Sequence, residues 1–167
     1  MLLTELNQFA SASFIEHLAD IFEHSPWVAE GALATRPYSG IDELHQAMVN
    51  VVECADLAQQ LALIRAHPEL AGKAAIRGEL TAASTNEQQG AGLNACSAEE
   101  FQQLQYLNQR YNEQFGFPFI IAVKGHNRES IIQAFTQRLA NSREQEIKTA
   151  LTQIYQIAYF RLHALLA

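Results

Sequence analysis

Arg161 stands where the sequence pattern calls for an apolar residue. Ile147, Leu151, Ile154, Ala158, Arg161 and Leu165 step by four, three, four, three and four, the spacing of one helical face. A guanidinium keeps its charge at any accessible pH. It must therefore meet a protein carboxylate or an anionic ligand, unless its stem lies along the apolar face and its head reaches water. His67 is a second such residue, placed directly before Pro68, whose ring ends a helix. Its imidazole, with an ordinary pKa of about 6.5, suits proton transfer near neutrality, and it equally suits a helix C-terminus, where it complements the dipole. The third case is Ser84-Thr85-Asn86-Glu87, a carboxylate near a hydroxyl that also reads as an S-x-x-E capping box opening a helix.

Other chemistries find little support. His17, His24, His45, His126 and His163 form no HxxxH or HExxH spacing, and Cys54 and Cys96 form no CxxC pair, so no metal site is expected and the cysteines read as reduced thiols. The sequence holds no G-x-G-x-x-G, no Walker loop and no G-x-S-x-G, which removes the usual nucleotide and covalent-nucleophile signatures. Eleven Lys and Arg against 18 Asp and Glu give a net charge of −7, a balance that repels phosphate backbones, so no nucleic-acid partner is expected. The start, MLLTELNQFA, is no signal sequence, and no apolar run approaches the ~20 residues of a membrane span. The protein is expected to be soluble and unexported, with no membrane partner.

The elements that position these residues are helices. Apolar residues recur at three and four while period-two alternation is almost absent, and 49% hydrophobic content with nine Phe can fill an interior. The expected fold is all-α, a single-domain bundle (residues 1–167) of about seven to nine helices with an irregular excursion after His67. A first helix is predicted from near Thr4 to near Glu23. Ser25 and Pro26 then cap and start a second, which ends before Arg36-Pro37. Ser39 with Asp42 opens a third, carrying Leu44, Met48, Val49 and Val52 inward. Asp56 caps a fourth, bearing Leu57, Leu61 and Ile64, that stops at His67-Pro68. From there to about Ala95 the chain is rich in small and polar residues and reads as irregular, with one short helix. Ser97 and Glu100 form a capping box for a long helix through Phe115, closed by Gly116. Phe117–Val123 is an apolar run that is either a short strand or a buried extended loop, Pro118 weakening the strand. Helices from about Asn127 to Ala140 and from Ser142 to Leu165 complete the chain.

Five blocks of this sequence together resemble one family. FEHSPWVAE (Phe22 to Glu30), LIRAHPELAGK (Leu63 to Lys73), the S-x-x-E-Q-x-x-A-G-L run (Ser84 to Leu93), LNQRYNEQFGFPFIIAVKG (Leu107 to Gly125) and IYQIAYFRL (Ile154 to Leu162) resemble the OHCU decarboxylases. These convert 2-oxo-4-hydroxy-4-carboxy-5-ureidoimidazoline to (S)-allantoin at the end of urate oxidation. The blocks span nearly the whole chain in the family's order and spacing.

The resemblance implies an all-helical, cofactor-free carboxy-lyase, a homodimer, with His67 as the catalytic histidine and Glu87 and Arg161 as charged members of the site. Pro68, Ser84, Thr85, Asn86, Glu87 and Gln88, with Phe119, Ile120, Ile121, Ala122 and Val123, would line the substrate pocket. His67 would take the substrate hydroxyl proton or give the proton that completes allantoin. Glu87 would orient the imidazole or accept from ureido N–H groups, and Arg161 would pair through its planar fork with substrate oxygens. Gln88 and the backbone of Ile121 and Val123 would read the amide edges of the ring. The C-terminus HALLA differs from the SKL-type peroxisomal address of some relatives, so the expected location is cytoplasmic. Two other readings use the same residues: a binding module that carries a ureide without turnover, and a hydrolase or isomerase of another cyclic ureide.

Overall fold

Prolines and capping side chains set most of the element boundaries. A computed structural model of the chain describes residues 1–72 and 78–167. Lys73, the end of the LIRAHPELAGK block, and the excursion through residue 77 lie outside the described residues. Among the described residues are nine α-helices: α1 (Leu3–Gln8), α2 (Ser11–Leu18), α3 (Pro26–Ala32), α4 (Ile41–Cys54), α5 (Leu57–Ala66), α6 (Ala82–Gly90), α7 (Ala98–Phe115), α8 (Arg128–Arg138) and α9 (Arg143–Leu165). Single 3₁₀ turns follow α3 and α6, at Leu33–Thr35 and Leu93–Ala95, and no described residue is in a strand. The all-α expectation holds.

Several boundaries follow the predicted chemistry. Pro26 is the first residue of α3, and the 3₁₀ turn after it stops before Arg36-Pro37. Asp56 Oδ1 accepts from the Gln59 N–H at 2.8 Å and starts α5, which ends at Ala66 ahead of His67-Pro68. Ser97 and Glu100 form the reciprocal capping box of α7, and Gly116 closes it with φ +78°, a conformation suited to glycine.

Other boundaries differ, each for a local reason. The predicted first helix is two, α1 and α2, because Phe9 and Ala10 are extended and the Phe9 carbonyl is taken by Arg36 Nη1 at 2.7 Å. It also ends at Leu18, well before Glu23. α4 begins at Ile41 behind Gly40, and Ser39 gives its N–H and Oγ–H to Glu43 Oε2 at 2.7 and 2.6 Å, with no part for Asp42. Leu57, placed on the inner face by periodicity, is 53% exposed at the first position of α5. The helix in the excursion is capped by Thr81, whose Oγ1 accepts from the Ser84 N–H at 3.2 Å, so Ser84 is inside α6 and is not its cap. Of the two readings of Phe117–Val123, the extended loop is the one observed.

The chain divides into two compact units. The first holds residues 1–66 and 154–167. Its interior is Leu6, Phe14, Phe22 and Val28 from the N-terminal segment, Leu44, Met48 and Val52 from α4, and Ile154, Ala158 and Leu162 from α9. The Ala167 N–H donates to the Met1 carbonyl at 2.9 Å, joining the two ends of the chain within that unit.

The second unit is residues 67–153, built around Tyr111. The rings of Phe115, Phe117, Phe119 and Phe135 surround Tyr111 at centroid distances of 4.5, 5.9, 5.4 and 5.9 Å. The Tyr111 hydroxyl donates to Glu146 Oε1 at 2.6 Å. The same carboxylate, fully buried, accepts from Arg138 Nε at 2.8 Å and from Asn141 Nδ2 at 2.9 Å. Burial, reinforced by the bond to Glu146, pushes the Tyr111 hydroxyl far above the usual tyrosine range and keeps it a neutral donor. Arg138 lies over the Phe119 ring at 4.3 Å and donates through Nη1 to the Ile120 carbonyl, while Gln153 Oε1 accepts from the Ala122 N–H at 2.8 Å. The Phe119–Val123 run thus has side chains in place of a neighbouring strand.

Glu146→Gln leaves the Arg138 guanidinium buried without its counter-charge. It should lower the unfolding free energy by about 3–5 kcal/mol, while Tyr111→Phe should lower it by about 1–2 kcal/mol. Urea unfolding followed by far-UV circular dichroism measures both, and a loss below about 1 kcal/mol for Glu146→Gln would show that the carboxylate is dispensable.

Candidate functional site

α5 delivers His67 to the start of the second unit. With Pro68 next, no helical amide follows, and the chain enters a tight turn whose Leu70, Ala71 and Gly72 are buried. His67 itself is 7% exposed. Ala71 has φ +50°, in the left-handed region. A Cβ on Gly72 would stand 2.8 Å from Glu69 Cβ, so the last glycine of the HPELAG block is required by close packing.

The backbone of this turn is held by carboxamides. Gln88 Oε1 accepts from the Ala71 N–H at 2.9 Å, and Gln88 Nε2 donates to the Glu69 carbonyl at 3.3 Å. Asn108 Nδ2 donates to the Leu70 carbonyl at 2.9 Å and Gln105 Nε2 to the Ala71 carbonyl at 2.7 Å. Asn112 Nδ2 donates to Glu69 Oε1 at 2.6 Å. Two sequence blocks, HPELAG and S-x-x-E-Q, are therefore joined through Gln88, whose carboxamide is engaged with protein backbone. Sequence reasoning gave Gln105, Asn108 and Asn112 no role, although their spacing of three and four on α7 marks them as one polar stripe.

α6 presents Ser84 and Gln88, four residues apart, on its buried side; Thr85 and Glu87 are half-buried and Asn86 is exposed. A cavity of about 590 Å³ adjoins this helix, lined among others by Ala71, Leu80, Thr85, Gln88, Leu93 and Phe101, a volume within the range of small-molecule pockets. Cys96 also borders it. Burial, with a smaller contribution from Glu100, raises the Cys96 thiol above its usual range, so it stays protonated and is a poor nucleophile near neutrality. Phe119, Ile120, Ile121, Ala122 and Val123 are all buried in the same unit.

Arg161 belongs to the first unit. Its Nη1 lies 2.8 Å from Glu23 Oε2 and donates to the Asp20 carbonyl at 3.0 Å; the two side chains are only 7% and 2% exposed. Of the partners open to Arg161 on sequence grounds, a protein acid is present. Glu23 was not picked out as a functional residue, and the available signal was its place inside the FEHSPWVAE block. The neighbouring Ser25 sits at the predicted cap of α3, but its hydroxyl donates to the Glu23 carbonyl at 2.9 Å rather than capping the helix. Among the described residues no group of three His, Cys, Asp or Glu side chains could hold a metal ion, and no helix is long and apolar enough to cross a membrane.

These features define an all-α protein with a candidate acid–base site where a helix ends on a buried histidine. The family model for OHCU decarboxylase matches residues 7–163. The 2-oxo-4-hydroxy-4-carboxy-5-ureidoimidazoline decarboxylase of Haloferax volcanii is 43% identical over 160 residues, covering 96% of this chain and 93% of that protein. The uric acid degradation bifunctional protein PucL of Bacillus subtilis is 42% identical over 160 residues, and the match covers 96% of this chain and 32% of that protein. A crystal structure of (S)-allantoin synthase superposes with a TM-score of 0.81 at 28% identity, covering all of this chain and 54% of that one. The chain belongs to the OHCU decarboxylase family.

Glu23→Leu removes a buried carboxylate 2.8 Å from the Arg161 guanidinium and should lower unfolding free energy by about 3–5 kcal/mol, with partial recovery in Glu23→Asp. Chemical denaturation of both variants checks this; a wild-type midpoint for Glu23→Leu would mean that Arg161 relaxes into solvent.

Proposed function

We propose that this protein decarboxylates 2-oxo-4-hydroxy-4-carboxy-5-ureidoimidazoline and delivers a proton to one face of the product, giving (S)-allantoin in urate degradation. The observation that carries this reading is the joining of the two most specific family blocks. The turn after His67-Pro68 is hydrogen-bonded to Gln88 of the S-x-x-E-Q helix. The family match across residues 7–163, which runs through both compact units, supports treating the chain as one functional domain.

The chemistry needs few parts. Breaking the bond to the carboxylate releases carbon dioxide and leaves an electron pair on the ring carbon. The adjacent unsaturated ring delocalises that pair, so the substrate is its own electron sink and no cofactor is called for. The hydroxyl loses a proton and becomes a carbonyl, while the ring nitrogen that takes up the pair and the carbon beside it each gain one, for a net uptake of one proton from solvent. His67, whose imidazole can both take and give a proton, is suited to the transfers at the hydroxyl and at carbon. Glu87, half-buried on α6, is suited to orient the imidazole or to accept from ureido N–H groups. Arg161 supplies a fixed planar cation for substrate oxygens, its orientation set by Glu23. Pro68, Ser84, Thr85, Asn86 and Gln88, with the Phe119–Val123 run, complete the proposed lining. We assign the protein as a homodimer on the strength of the family resemblance, and to the cytoplasm as the default expectation from its sequence.

The test generates the labile substrate from urate with the two upstream activities and follows circular dichroism. The protein should give a rapid rise of (S)-allantoin against slow racemic product without it; coincident traces would refute the decarboxylase reading. His67→Asn should lower kcat by roughly 10²–10⁴-fold while retaining allantoin binding. Near-normal turnover would remove His67 from the chemistry. Arg161→Lys, which keeps the charge but loses the fork, should lower kcat/KM at least about tenfold.

A further inference from the structure

The turn after His67 is braced on one side by a single helix face. Gln105, Asn108 and Asn112 lie at spacings of three and four on α7, and each places an amide NH₂ on the Glu69–Ala71 turn, at 2.7, 2.9 and 2.6 Å. Asn112 is itself steadied by the Asn108 carbonyl at 3.1 Å. With Gln88 opposite, the carbonyls of Glu69, Leu70 and Ala71 and the Ala71 N–H all end on side chains. The turn includes a left-handed alanine and adjoins a buried proline-linked histidine, so its shape is imposed by these partners.

One detail separates positioning from stability. Asn108 is 2% exposed, and its Oδ1 has no hydrogen-bond partner among the described residues. A buried carbonyl without a donor is unfavourable, a cost that accompanies placing Nδ2 on the Leu70 carbonyl. Asparagine at 108 is therefore a poor choice for packing alone, and what it provides is the bond from Nδ2 to the Leu70 carbonyl. All four braces are also uncharged.

We propose that Gln105, Asn108 and Asn112 of α7 are positioning residues for His67: through Glu69, Leu70 and Ala71 they set where the imidazole stands for proton transfer. This rests on the reading of His67 as the proton-transfer residue. Asn108→Leu should lower kcat by between about tenfold and a hundredfold, as expected when a reacting group is displaced by around an ångström. KM should stay within about threefold, and the buried Leu70 carbonyl, left without its donor, should lower the melting temperature by only a few degrees, so that the protein stays folded at the assay temperature. In an assay with His67→Asn and the double variant, the double should be no slower than His67→Asn alone, because the stripe acts through the histidine. Wild-type kcat for Asn108→Leu beside an inactive His67→Asn would overturn the proposal and leave the functional reading standing. An active His67→Asn would overturn the functional reading instead. A further loss in the double variant would show that Asn108 acts elsewhere and would also overturn the proposal. If Asn108→Leu does not fold, Gln105→Met, at a half-buried position that holds the Ala71 carbonyl, carries the same expectation and the same refutation.

Discussion

The missing amide hydrogen of Pro68 is the constraint from which the candidate site follows. It halts α5 at Ala66 and leaves His67 at a helix end, where an imidazole can turn toward a site while the helix fixes its Cα. The same proline sends Glu69, Leu70 and Ala71 into a buried turn with no helical ladder. Buried backbone groups without partners are strongly unfavourable. The second unit supplies the partners from Gln88 on α6 and from Gln105, Asn108 and Asn112 on α7. The position of the histidine is therefore written partly in residues 20 to 45 positions away.

Each unit solves a related problem with a charged pair. In the first, Arg161 meets Glu23 and takes the carbonyl of Asp20 from the turn after α2; in the second, Arg138 meets Glu146 and takes the carbonyl of Ile120 from the extended run. In both, the carboxylate permits burial of a guanidinium, and Nη1 ties down a carbonyl of a segment that is itself neither strand nor helix. Removing two charges from water makes such pairs a weak source of net stability, but breaking one is severe. Their value lies in specifying where irregular backbone runs. That explains how Phe119–Val123 remains extended and buried without a sheet.

What the sequence disclosed followed from local chemistry. The caps at Asp56 and Ser97, the proline at the start of α3 and the glycine after α7 act within a few residues, so spacing alone locates them. Arg161 stood out because an apolar stripe makes a charge conspicuous. Its partner did not, because Glu23 lies 138 positions away in a turn with no periodicity. Glu146 was hidden for the opposite reason: the first turn of a helix is an ordinary place for an acid, and only the tertiary packing around Tyr111 makes it fully buried. The break between α1 and α2 was missed because it depends on Arg36 reaching the Phe9 carbonyl. At α6, two overlapping capping patterns competed, Thr81 with Ser84 and Ser84 with Glu87. The chain uses the first, so Glu87 stands six residues after the cap and not three.

That choice of cap bears on the chemistry. Had Ser84 capped the helix, Glu87 would occupy the third helical position, where a reciprocal bond to the Ser84 amide would hold its carboxylate at the helix start. With Thr81 as cap, Ser84 is buried one turn in, and Glu87 stands one residue before Gln88, the residue that reaches the Ala71 N–H and the Glu69 carbonyl. The helix thus offers a carboxylate and a neutral brace at adjacent positions, pointing about 100° apart around its axis. A carboxamide at 88 can both accept from the Ala71 N–H and donate to the Glu69 carbonyl, which an ionised carboxylate could not do. By setting where the helix begins, the capping threonine sets the position from which Gln88 meets the turn.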